Sequence, residues 1–255
     1  MKICLLASGS KGNSIVVESG KTRLLIDAGL SARELRKRLD AVGVAAESLD
    51  ALLITHEHGD HVRGLGPLVR QLNLPVYLQT DLAGKLSDPG KPACVREFVD
   101  GEEFVINDLT IRPFAITHDC LAPVGFTLNG EQGKVGIATD LGVVTRLVTE
   151  CLRDCRALVL ETNHDEELLR DGPYPWKLKQ RVRGNHGHLS NHAGSDLLKD
   201  LLWSGLETVF LGHLSETNNR PELALEAVST ILGRQNISQP QVLLGKQQLP
   251  VWWAA

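Results

Sequence analysis

A mixed α/β fold is what this sequence predicts, and three observations carry the prediction. Short apolar runs alternate with Gly-rich turns, helical periodicities fall between those runs, and polar residues with chemical potential directly follow several of them. Segments 3–7, 14–18 and 22–26 are expected as strands, the first two separated by the loop Ser8–Asn13. Ser31 is placed to cap a helix carrying Leu35, Leu39 and Val42 on one face. Segment 51–55 is expected as a buried strand ending at a histidine cluster. Segments 75–78, 95–99, 104–106, 109–116, 124–128 and 135–139 continue the strands, with hairpin turns expected at Asn107-Asp108 and Asn129-Gly130. A helix over 143–151 then precedes a strand over 157–160 that ends at Glu161. Ser190 or Asn191 caps a helix through Trp203, a strand over 207–211 leads to His213, and Pro221 opens a helix that Gly233 ends. With no repeat, low-complexity tract or linker, the expectation is one domain over residues 1–255.

Composition narrows the class. The 255 residues are 42% hydrophobic and 23% charged, ordinary for a soluble globular chain. Runs such as 51–55 and 208–211 are far too short to cross a bilayer, and Ser8 and Gly9 interrupt the first apolar run before it could serve as a secretory signal. Five cysteines without framework spacing favour a reducing compartment, so a cytoplasmic protein is expected. Cys151 and Cys155 are better read as buried thiols than as half of a metal site. A net charge of −4 gives no global basic footprint, so any nucleic-acid contact must be local.

The chemistry concentrates in His56, His58, Asp60 and His61, directly after the 51–55 strand; none of the nine histidines lies earlier in the chain. On a loop, residues two apart can point the same way, so His56 and His58 could share one metal ion while Asp60 and His61 turn toward a second. Imidazole with carboxylate suits zinc, manganese or iron better than magnesium or calcium. His118, Asp140 and His213 each follow an apolar run and could converge on the same edge. Two divalent ions bring four positive charges; Asp60, Asp140 and a hydroxide remove three, and the positive charge left suits an anionic phosphate ester.

The run His56-Glu57-His58-Gly59-Asp60-His61 matches the HxHxDH signature of the metallo-β-lactamase superfamily, and Asp27, His118, Asp140 and His213 fit its other positions. The resemblance covers essentially the whole chain and implies a four-layer αβ/βα sandwich with a two-metal site. It implies that His56, His58, His118 and Asp140 hold one ion and that Asp60, His61, Asp140 and His213 hold the other. It also implies that Asp27 orients the ligand loop. The order Glu161, His188, His213 is similar to the ribonuclease Z group. That likeness implies that Glu161 orients His188 as the general acid, with Asp60 also at the reacting centre. Segments 8–14, 138–142, 161–165, 172–177 and 213–219 resemble the YycJ/WalJ branch, regarded as phosphodiesterase-like with DNA exonuclease activity. No counterpart of ribonuclease Z's long transfer-RNA arm is evident.

The expected function is therefore a dinuclear, metal-dependent phosphodiesterase, a nuclease acting on DNA or RNA ends through a bridging hydroxide. Alternatives are hydrolysis of a small cyclic phosphodiester, as in the related PhnP group, and a non-catalytic module using metal for stability. Expected partners are the nucleic acid or small phosphodiester and a second copy in a homodimer, with no membrane. Trp176, Lys177 and Arg181, with Tyr174, Lys179 and Arg183, interleave aromatics and cations and read either as a nucleic-acid grip or as a solvated basic helix face. The Ser8–Asn13 loop, with Ser10 and Asn13, reads either as a phosphate cradle or as a tight hairpin. His164 and Ser190 are further candidates for substrate contact; His164, His186 and His192 read as pocket-lining or, more often for a lone histidine, as surface residues.

Overall fold

The computed structural model describes residues 1–234 and 239–255. Its strands form two seven-stranded sheets. In spatial order the first contains β14 (Val251–Ala254), β1 (Lys2–Ala7), β2 (Ser14–Ser19), β3 (Thr22–Ile26), β4 (Ala51–Leu53), β5 (Val76–Gln79) and β6 (Val95–Phe98). The second contains β13 (Gln241–Leu244), β12 (Thr208–Gly212), β11 (Ala157–Glu161), β10 (Gly133–Ala138), β9 (Val124–Gly130), β8 (Leu109–Ala115) and β7 (Phe104–Ile106). Each sheet is antiparallel on one side and parallel on the other. The parallel pairs run from β3 to β6 and from β10 to β13.

Alternation along the strands builds three apolar layers. Ile3 and Leu5 of β1 point between the sheets, while Cys4 and Leu6 point outward; Val159 and Leu160 of β11 divide in the same way. The central layer joins the sheets through Leu24, Leu53, Phe126 and Phe210. The outer face of the first sheet packs on α1 (Ala32–Ala41) and α3 (Leu65–Leu72), through Leu35, Leu39, Leu65 and Leu68. The second packs on α4 (Arg146–Leu152), α7 (Asn191–Leu201) and α8 (Pro221–Leu232), through Val148, Leu198 and Val228. Burial on both faces is why these strands read as unbroken apolar runs. The result is the expected αβ/βα sandwich.

Local expectations fail in places with identifiable reasons. The turn expected at Asn129-Gly130 falls at Glu131-Gln132, because Gly130 pairs with Gly133 and extends the ladder. The helix expected from Val143 starts at Arg146, after the Thr145 side chain accepts from the Val148 N–H. Val143 is held out of it by its N–H bond to Thr117 Oγ1 at 3.1 Å. Cys151 lies in α4 and Cys155 beyond its end, both buried, and burial pushes the Cys155 thiol up to about 12. No metal-competent cluster among the described residues contains a cysteine. No helix among them is long and apolar enough to cross a membrane.

Candidate active site

The C-terminal ends of β3, β4, β10, β11 and β12 meet along one edge of the two sheets, as parallel strands allow. Asp27, Asp140 and His213 stand there in the left-handed region, at φ 61°, 60° and 56°. Asp, Asn and His tolerate that conformation better than other L-residues, and its recurrence at three converging strand exits marks a functional edge.

The histidine cluster follows β4 and leads through the single turn α2 (Gly59–Val62). Asp27 braces it: its carboxylate accepts from the Thr55 N–H at 2.9 Å, from Thr55 Oγ1 at 2.8 Å and from His61 Nδ1 at 2.7 Å. This leaves His61 Nε2 facing Asp140 Oδ2 at 3.3 Å. Thr55, missed in the sequence, also contacts His56 Nδ1 at 3.0 Å, and the buried His56 Nε2 has no hydrogen-bond partner among the described residues. Backbone bonds from Ala28 N to the His61 carbonyl (2.7 Å) and from Asn13 N to the Asp60 carbonyl (2.8 Å) fasten the same loop.

Opposite, the Glu161 carboxylate is fully buried and accepts four hydrogen bonds. His188 Nδ1 (2.9 Å) and His213 Nδ1 (2.8 Å) donate to Oε1; the Leu141 and Leu189 N–H groups donate to Oε2 at 3.0 and 3.1 Å. The orienting contact expected between Glu161 and His188 is thus present in the geometry. The contact to His213 is an addition that strand order alone could not reveal. Burial opposes charge on Glu161, but His188 and His213 outweigh it and hold its pKa at about 2.

The seven metal-ligand candidates come together in overlapping groups: His56, His58 and His118; His56, His61 and Asp140; Asp60, His61 and His213. The fit to cations rests on what these atoms lack. Among the described residues His56 Nε2 and His213 Nε2 are buried without a hydrogen-bond partner and Asp140 Oδ2 faces only His61 Nε2 at 3.3 Å, a costly arrangement unless something positive satisfies them. His58 Nδ1 faces His118 Nε2 at 3.2 Å, while His118 Nδ1 contacts the Gly187 carbonyl at 3.0 Å. Electrostatics agree. Burial disfavours charge on His61, yet Asp140 and Asp27 lift its pKa to about 10. Burial likewise opposes charge on Asp140, and His213 and His61 hold it far below the carboxylate range. Burial and the neighbouring imidazoles keep His56 neutral, the form a metal needs. Asp27 and Glu161 bring two further carboxylates against His61, His188 and His213.

A cavity of about 220 Å³ opens onto these groups, lined among others by His58, Asp60, His118, Asp140, His188 and His213. Its outer wall includes Tyr174, Leu178 and Arg181, and Arg181 is clamped by Asp119 with Nη2 to Oδ1 at 3.0 Å. Asn163 and Asn218 also line it and were not anticipated. Ser10 lines the cavity. The hairpin reading of its loop is the one observed: the N–H groups of Gly9, Lys11, Gly12 and Asn13 are bonded within the protein. Asn13 is buried and holds His61 Nε2 at 3.0 Å instead of facing substrate.

Other candidates fall elsewhere. His164 is buried, neither on the surface nor on the cavity wall, and burial lowers its pKa to about 4. Ser190 is occupied as the α7 cap, accepting from Ala193 N at 3.2 Å and donating to Glu166 at 3.0 Å. Trp176 and Lys177 are exposed at the start of α6 (Trp176–Arg183) and do not line the cavity; His186 and His192 are exposed as well.

Comparison with known proteins agrees with this geometry. Residues 22–213, spanning every ligand candidate, match the family model described as the beta-lactamase superfamily domain. The chain is 36% identical over 232 residues to exodeoxyribonuclease WalJ of Streptococcus pneumoniae, covering 88% of this chain and 85% of that protein. It is 32% identical to exodeoxyribonuclease YycJ of Bacillus anthracis, over 89% and 88% of the two chains. In fold it is similar to the metallo-beta-lactamase fold protein YhfI of Bacillus subtilis, with a TM-score of 0.74, 18% identity and 99% coverage of both.

Proposed function

This chain belongs to the metallo-β-lactamase superfamily, in the branch that holds the WalJ and YycJ proteins, and on that footing we propose that it is a nuclease cleaving phosphodiesters at DNA or RNA ends. It is a metal-dependent hydrolase, which sets aside a non-catalytic role. The observation that carries the nuclease reading is the pairing of His188 with buried, anionic Glu161 on the wall of a cavity rich in ligand atoms.

His56, His58, His118 and Asp140 would hold one divalent ion, and Asp60, His61, Asp140 and His213 the other, as zinc or manganese, with iron also suited to the donor set. Such ions would polarise a phosphoryl oxygen and lower the pKa of bound water. The chain's own part is to place and protonate. Glu161 takes the Nδ1–H of His188, which fixes the ring and leaves Nε2 to carry the transferable proton. With Nδ1 held by Glu161, His188 presents Nε2 to give its proton to the departing alkoxide. Asp27 and Glu161 fix the rings of His61 and His213 through Nδ1, so that Nε2 of each turns toward the ligand cluster, where a cation would displace the Asn13 amide from His61. Asp60 stands 3.7 Å from His213 Nε2 and contributes its carboxylate to the same centre.

A second reading, hydrolysis of a small cyclic phosphodiester, has the compact cavity and the net charge of −4 in its favour. Metal-reconstituted protein assayed on bis-p-nitrophenyl phosphate, a cyclic nucleotide and end-labelled DNA and RNA separates the two. The nuclease reading expects end-labelled polymer to be the best substrate, with KM rising steeply with salt as phosphate contacts are screened. Efficient turnover of the cyclic nucleotide with no polymer cleavage would select the second reading.

A further inference from the structure

Helix α6 has two working faces. Leu178, Arg181 and Val182, at helical spacing, line the catalytic cavity. Trp176, Lys179, Gln180 and Arg183, the complementary stripe, line a separate cavity of about 290 Å³ that α5 (Glu166–Asp171) closes through Leu169 and Arg170. Trp176 is 67% exposed, unusual for an indole that packs on nothing functional. Lys179 and Arg183 have no carboxylate within salt-bridge distance among the described residues, whereas Arg181 on the catalytic face is neutralised by Asp119. The second cavity thus combines an exposed indole with two cations that have no carboxylate partner among the described residues, Lys179 Nζ donating to the Arg170 carbonyl at 2.6 Å, in a protein whose overall charge is negative.

Resting on the nuclease reading, we propose that this cavity is a nucleotide subsite for single-stranded nucleic acid. A base stacks on Trp176 while Lys179 and Arg183 meet the phosphates that flank it. The carboxylate of Glu166 in the same wall accepts from the Ser190 hydroxyl at 3.0 Å and pairs with neither cation. The two cavities share only α6 between them. A helix with side chains is about 10–12 Å across, roughly three nucleotides of strand at about 3.4 Å each. A strand whose terminal phosphodiester occupies the catalytic cavity therefore reaches the subsite only when it is several nucleotides long.

The test compares Trp176→Ala and Arg183→Ala with Lys177→Ala, which removes a charge from the same helix but from neither cavity. Each is measured for KM on bis-p-nitrophenyl phosphate, a dinucleotide and a single-stranded octanucleotide, and for octanucleotide Kd by fluorescence anisotropy. Trp176→Ala is expected to raise octanucleotide KM and Kd about tenfold, the loss of one stacked base, and Arg183→Ala to raise them several-fold. Both should leave the diester and dinucleotide unchanged, and Lys177→Ala should have little effect on anything. Equal effects of Lys177→Ala and Arg183→Ala, or an octanucleotide indifferent to Trp176, would overturn the subsite even if the enzyme cleaves DNA well. An octanucleotide that binds in a Trp176-dependent way but is never cleaved would sink the nuclease reading and leave the subsite standing. An octanucleotide neither bound nor cleaved would overturn both.

Discussion

Glu161 is the residue on which most of the site's order converges. One of its oxygens serves His188 and His213 together, so its loss should disturb both proton donation and metal retention. Glu161→Gln is expected to lower kcat and also to reduce bound metal, whereas His188→Ala should keep its metal; elemental analysis of the two variants checks the difference. Asp140 lies within reach of His61, His118 and His213, and its replacement by Ala should abolish activity and leave fewer than two metal ions per chain. Full activity with two tightly bound metals in that variant would overturn the ligand assignment. These residues were legible because each metal-ligand candidate sits just past an apolar run. Thr55 and Asn13 were not recognised as braces, because a threonine or asparagine in a turn carries no signal until its partners are known. Trp176 and Lys177 lie off the cavity wall, because sequence spacing does not say which helix face meets the reacting centre.

At the scale of the element, the junction after β3 carries the tightest packing in the site. A Cβ on Gly29 would stand 1.7 Å from the Asp60 carbonyl oxygen and 2.5 Å from Asn13 N, so only glycine lets the two ligand-bearing loops close on each other. Gly29→Ala is expected to cost about 3 kcal/mol or more and to lower Tm by on the order of 10 °C. Metal content should fall with it, and calorimetry with elemental analysis measures both. Strand exits were readable from sequence, but β13 and β14 were not. Each is four residues long, and β14 joins the sheet only by pairing with β1 at the far end of the chain. Helices α3 and α5 escaped for a related reason, being eight and six residues long with little room for a period to show.

Across the whole molecule, two sheets deliver their strand ends to one edge, and cations there would tie the halves together. Stripping metal with a chelator should therefore lower Tm, and metal-free protein should respond to pH in a defined direction. His61, raised to about 10 by Asp140 and Asp27 despite its burial, contributes stability fully below about pH 6.5 that is lost as pH rises toward 10. The Tm of metal-free protein is expected to fall over that window and that of metal-loaded protein to hold, since bound metal replaces the proton. A parallel decline in both forms would argue against cations at this edge. The mechanism turns on His188, and leaving-group dependence measures its role most directly. A nucleotide alkoxide needs a proton to depart, while nitrophenolate leaves with little help. His188→Ala should cost on the order of 10²-fold in kcat on a nucleic-acid end and much less on bis-p-nitrophenyl phosphate, with both metals retained. Equal slowing on the two substrates with metals still bound would contradict the account, because His188 would then not be the proton donor.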